Sequence, residues 1–140
     1  MTREATVEEL MAPALAPSKP TAAARRLLDE ARQINREVNR LRGETRPVVD
    51  SLTSIDWPKL RARHVGNPVV SQLVAGAMRA LADCLDVGRV SDRTFERMLA
   101  EPASVTVADV GGYRELAAEA ARAFDVLKPA VLALHEALGQ

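Results

Sequence analysis

Two runs of apolar residues that step by four and three dominate this chain of 140 residues. Such spacing places side chains on one stripe of a helix and excludes a strand, whose inward residues alternate. The first run passes through Leu27, Ala31, Ile34, Val38, Leu41, Thr45, Val48, Leu52 and Ile55. The second passes through Tyr113, Ala117, Ala120, Phe124, Leu127, Val131, Leu134 and Leu138. Each is a heptad seam, the pattern by which long helices bury a stripe against partner helices. No strand-period run accompanies them, and the sequence predicts an all-α fold, a helical bundle.

Prolines test both seams. Pro47 lies within the first segment but off its stripe, which predicts either a kinked long helix or two helices that break at Arg46. Pro129 lies off the second stripe, on the face opposite the core, where water can replace the lost backbone bond and the helix merely bends. Thr21 is placed to cap the first segment, and Thr106 with Asp109 has capping-box spacing for the last. Gly111 and Gly112 weaken the first turns of that last segment and read as an irregular helix start.

The middle of the chain predicts a shorter helical hairpin. Asn67 and Pro68 suit a cap and first helical position, after which Val70, Leu73, Val74, Ala77, Leu81 and Leu85 trace one face. Gly88 is placed to stop that helix, and Ser91 to cap a second one carrying Phe95, Met98 and Leu99 until Pro102. Trp57 and Pro58 are expected to end the first long segment, which leaves Lys59 to His64 as a basic loop. Residues 1–20 read as a flexible arm, with Thr6 and Glu9 spaced to cap a short helix before Pro13, Pro17 and Pro20. Residues 21–140 then form a single domain, a length sufficient for one core.

The residues that chemistry would need are sparse. His64 and His135 are the only imidazoles, and neither sits beside a nucleophile in a recognisable motif. No Glu has a His three residues later, and no glycine-rich phosphate loop accompanies Gly111 and Gly112. Asp83 and Asp86 read as a solvated helix face, His135 as a flanking polar residue, and Cys84, the single cysteine, as core packing. The expectation is a protein that is not an enzyme and has no metal and no cofactor. With no signal-like start and no apolar run long enough to span a bilayer, a cytoplasmic location without membrane contact is expected.

Charge is the remaining informative feature. Nineteen basic residues balance nineteen acidic ones, yet their distribution is uneven. Residues 25–46 hold seven Arg against Asp29, Glu30, Glu37 and Glu44, whereas the chain from Asp83 onward holds ten acids against six bases. Between Trp57 and Ala82 there is no acid at all, while Lys59, Arg61, Arg63 and Arg79 fall there. On the first helix Glu30, Glu37 and Glu44 recur every seven residues beside the seam, where they are expected to reach a neighbouring helix and leave Arg32, Arg36 and Arg40 facing outward. Outward guanidinium groups hold phosphates through forked hydrogen bonds without reading base sequence. The candidate nucleic-acid-binding residues are therefore Arg25, Arg26, Arg32, Arg36, Arg40, Lys59, Arg61, Arg63 and His64. Aromatic content of 3% excludes base-stacking modules, and Trp57 reads as a core or interface anchor.

In size, helical pattern and one-sided basic character, carried by the Arg25 to Arg46 helix and the Lys59 to His64 stretch, the chain resembles the small all-helical subunits of CRISPR effector ribonucleoprotein complexes. The resemblance implies an antiviral-defence role in which several copies stack along an RNA-guided complex, near the guide and the displaced DNA strand. It implies other protein subunits as partners, self-association, and contact with nucleic acid through the phosphate backbone. A reading from another class stands beside it. The two seams equally suit a coiled-coil scaffold or adaptor that binds only protein, such as a phage or plasmid structural component.

Overall fold

The computed structural model describes residues 21–139, and among them every regular element is helical. Helix α1 runs Ala22–Thr53, α2 Trp57–Arg63, α3 Pro68–Ala100 and α4 Val107–Ala137, with one 3-10 turn, Pro102–Ser104, between the last two. The expected all-α bundle is what the chain forms. The N-terminal arm, its short helix and Gln140 lie outside the described residues.

Local chemistry sets most boundaries. Thr21 accepts a hydrogen bond from the Ala24 amide at 3.1 Å and starts α1. Thr106 and Asp109 exchange reciprocal hydrogen bonds of 3.1 and 2.9 Å as a capping box that starts α4. Asn67 accepts from the amides of Val69 and Val70, and Gly66 before it takes φ of 75°, a left-handed conformation that side-chain-bearing residues rarely adopt. Helix α1 continues through Pro47, so of the two expected forms the single long helix occurs and not two helices that break at Arg46. Both Pro47 and Pro129 are exposed, on the side of the helix where water can take the place of the lost backbone hydrogen bond.

Two expectations are corrected. The hairpin between the long segments is instead one uninterrupted helix, α3, with Gly88 and Ser91 in its interior. Val70, Ala77, Ser91 and Met98 are buried, and Cys84 is half-buried, so a third stripe repeats every seven residues through positions 70, 77, 84, 91 and 98. A glycine in a helix interior costs about 1 kcal/mol, which burial along a helix of 33 residues easily offsets. Trp57 and Pro58 do not end a helix; they open α2, whose first turn tolerates proline because its amide would have no partner.

Helix α4 packs along both α1 and α3, which meet each other sparingly. Two core clusters result. One gathers Leu28, Val38, Met98, Val110 and Tyr113, and the other Leu52, Ala77, Leu127, Val131 and Leu134. The seams thus close against one another within the chain. In the first cluster Tyr113 is wholly buried, stacks on Phe95 with ring centroids 5.5 Å apart, and donates its hydroxyl to Asn35 Oδ1 at 3.0 Å. Burial pushes the Tyr113 phenol above its ordinary pKa, opposed in part by the nearby Ser91 hydroxyl. Ser91 itself, 1% exposed, makes no hydrogen bond of ordinary geometry through its Oγ.

Removing an unsatisfied buried hydroxyl relieves a desolvation penalty of about 1 kcal/mol. Ser91→Ala is therefore expected to leave stability unchanged or to raise it, with the urea midpoint as the measure. A Cβ added at Gly88 would meet only Arg42 Nη2, at an ordinary 3.8 Å. Gly88→Ala is expected to stabilise α3 by about 0.5 to 1 kcal/mol; a lowered midpoint would show that the backbone at Gly88 is needed as it is.

Candidate nucleic-acid interface

The acid-free stretch after Asp56 folds as a short helix and not as the expected loop. Asp56 caps it by accepting from the Lys59 amide at 3.1 Å, and His64 closes it with an amide hydrogen bond to the Leu60 carbonyl. Trp57 is half-buried against the second core cluster, and half-buried Leu60 follows it one turn later. These two anchors leave Lys59, Arg61 and Arg63 exposed.

Helical geometry divides the three cations. Lys59 and Arg63 are four residues apart and share a face, whereas Arg61 is displaced from Lys59 by about 160° around the axis. The Lys59 and Arg63 face borders a cavity of about 300 Å³ between α2 and the end of α4, lined also by Ser54, Asp56, His64 and His135. His135 was expected to be only a flanking residue. Its Nε2 lies 3.2 Å from Ser51 Oγ, and the Ser51 hydroxyl donates to the Val48 carbonyl at 2.6 Å. With that proton committed, the imidazole Nε2 donates to Ser51. Sequence spacing alone gave no signal for this convergence, because it joins residues 84 positions apart.

The arginine row on α1 is more fully paired than expected. Arg32 meets Asp29 at 3.3 Å, and Arg40 is held between Glu37 at 3.0 Å and Glu44 at 2.8 Å. The hydrogen bonds that Arg40 donates to Glu37, with the charges of Glu37 and Glu44, raise the Arg40 pKa above its ordinary value. Of the three acids expected to reach a neighbouring helix, only Glu30 does so, toward Arg114 of α4 at 3.6 Å. Glu37 and Glu44 instead turn back on their own helix, one turn from Arg40 on either side. Arg25, Arg26 and Arg36 are exposed, and Arg26 and Arg36 form no ion pair among the described residues. Arg42 bridges α1 to α3 through Asp92 at 2.9 Å.

The candidate residues therefore form two regions. Arg25 and Arg26 mark the start of α1, while Lys59, Arg63 and His64 lie beyond its other end, more than about 40 Å away along a helix rising 1.5 Å per residue. Among the described residues no three His, Cys, Asp or Glu side chains gather where a metal ion could be held, and no helix is long and apolar enough to cross a membrane. Cys84 is half-buried, and burial pushes its thiol above the ordinary range, with the Asp83 charge adding to the effect. No known protein family, curated protein or solved structure matches the chain.

Proposed function

We propose that this chain is a non-enzymatic helical subunit of a larger nucleoprotein assembly and grips nucleic-acid phosphates through α2. The observation that supports it is the convergence of Lys59, Arg63, His64 and His135 around one cavity, in a stretch that carries no acid between Trp57 and Ala82. The two permanent cations of α2, with the His64 imidazole beside them, offer donors to a phosphate, and His135 of α4 walls the cavity while its Nε2 proton is held by Ser51. Asp56, the one acid lining the cavity, already accepts from the Lys59 amide as a helix cap. The exposed Arg26 and Arg36 extend the basic surface along α1. In this reading copies of the chain associate beside other subunits in the cytoplasm, as in a CRISPR effector complex of antiviral defence, with the strand held by its backbone and no base read.

A protein-only scaffold is the alternative, and the exposed apolar residues Val126 and Leu132, each 60% accessible on α4, favour it. Affinity for unrelated single strands and duplexes, of RNA and of DNA, at several salt concentrations separates the two. The double variant Lys59→Glu/Arg63→Glu is expected to weaken binding alike for all sequences. It should flatten the log–log salt slope by about 1.4 for single strands and about 1.8 for duplex DNA if both contacts are lost. Arg61→Glu, on the other face of α2, should alter affinity much less. Equal affinities and slopes for wild type and the double variant, with folding intact, would place the scaffold reading first.

The pairing on α1 generates a second expectation. Arg40 must leave two carboxylates to reach a phosphate, whereas Arg36 has no ion pair among the described residues to give up. Arg36→Gln should therefore reduce nucleic-acid affinity more than Arg40→Gln, as read from paired titrations at low salt. The reverse order would remove the α1 row from the interface.

A further inference from the structure

Midway along the bundle α1 and α3 separate and leave a groove of about 470 Å³. Its walls include Leu41 and Val49 of α1 and Cys84, Leu85 and Val87 of α3, and Phe124 of α4 lies at its floor. Along this stretch α3 presents the small residues Cys84, Gly88 and Ser91, which leave the space open. Leu85 is left 52% exposed on its wall. The rim is charged, with Arg42, Arg46 and Arg89 against Asp50 and Asp92. Arg46 is exposed and forms no ion pair among the described residues.

We propose that the chain's own N-terminal segment, centred on Val7, Leu10 and Met11, docks in this groove. Three independent properties agree. The first is reach. Helix α1 begins at Ala22 and the groove begins at Val38, about 24 Å further along the axis. The eight residues from Pro13 to Pro20, with a proline at positions 13, 17 and 20, span about 25 Å in the extended polyproline form. A segment ending at Ala12 is thereby delivered to the near end of the groove.

The second property is pattern. Val7, Leu10 and Met11 share one helical stripe, with Thr6 and Glu9 in capping-box spacing to start the turn. At 1.5 Å per residue these positions extend about 8 Å beyond Ala12, within the length of groove walled by Val38 to Val49. The third property is charge. Glu4, Glu8 and Glu9 give the segment three acids against Arg3, opposite a rim in which Arg46 lacks a partner among the described residues. Three apolar side chains bind weakly as a free peptide, but a short tether supplies an effective concentration in the millimolar range, about what such a contact requires.

Cys84 is the chain's only cysteine and lines the groove, which makes its reaction with Ellman's reagent a direct readout on the full-length protein. Leu10→Glu/Met11→Glu should raise the labelling rate about tenfold, the value for a docked fraction near nine-tenths. Arg46→Glu should raise it as well, and adding Glu8→Arg/Glu9→Arg to Arg46→Glu should restore protection. Leu10→Cys under mild oxidation should form an intramolecular disulfide with Cys84, while Ser18→Cys in the linker should not. Equal labelling rates in all variants together with no intramolecular disulfide would overturn the proposal. So would protection of Cys84 that rises with protein concentration, accompanied by disulfide-linked dimers, since a second copy would then fill the groove.

Discussion

Tyr113 has a hydroxyl that must be satisfied in a place where water does not reach, and the packing of the first core cluster follows from how this is done. The residue stands on α4, stacks its ring on Phe95 of α3 and donates to Asn35 of α1. A buried hydroxyl without a partner costs about 1 to 3 kcal/mol, so only an alignment of α1 and α4 that brings Asn35 to Tyr113 avoids that cost. The stacked pair adds about 0.5 to 1.5 kcal/mol beyond the area it buries. One side chain thus fixes the longitudinal register of all three long helices. Apolar seams alone define register poorly, because a slip of seven residues preserves a heptad stripe.

Register fixed at one end has a consequence halfway along the bundle. Once Tyr113 lies beside α3, the small residues Cys84, Gly88 and Ser91 come opposite the Val38 to Val49 part of α1, and the two helices cannot close on each other there. Helix α4 compensates by touching both, with Phe124 buried between the two core clusters. The Arg42 to Asp92 pair spans the opening at its edge, and its exposure limits its contribution to stability. The groove is therefore built into the seam of α3, and filling it requires apolar surface from outside the three-helix core.

The sequence made the helical class, the caps at Thr21, Asn67 and Thr106, and the first and last long helices legible, because each depends on neighbours within one or two turns. It did not make α3 legible as one helix. Gly88 and Ser91 have the local chemistry of a stop and a cap, and only burial against α4 overrides that preference. The α2 helix was missed for a related reason: Pro58 ends a helix when it is interior but is harmless in a first turn, and the Asp56 cap decides between the two. The basic candidates were found as residue types, yet their grouping was not. Lys59 and Arg63 share a face, apart from Arg61, only once α2 is helical, and His135 joins them only through the tertiary packing of α4.

Electrostatics then separates the two basic regions by role. On α1, Glu37 and Glu44 neutralise Arg40 at close range, and exposed pairs of this kind contribute little to stability, so their main effect is to lower the outward field of the row. On α2 the neighbouring acid, Asp56, caps the helix through the Lys59 amide and forms no ion pair with Lys59 or Arg63 among the described residues, so two positive charges stand against one negative. The two regions lie farther apart than several Debye lengths at physiological salt, which are about 8 Å each, so their fields act independently. A single strand or duplex that engaged both ends would have to run the length of α1. That length is about 48 Å, and for a duplex rising 3.4 Å per base pair it is about 14 base pairs, roughly one and a third turns of the double helix. Over that length the phosphates of one duplex strand turn away from a straight track, so under the proposed function a duplex would engage the two ends alone, whereas an extended single strand would also reach Arg36 between them.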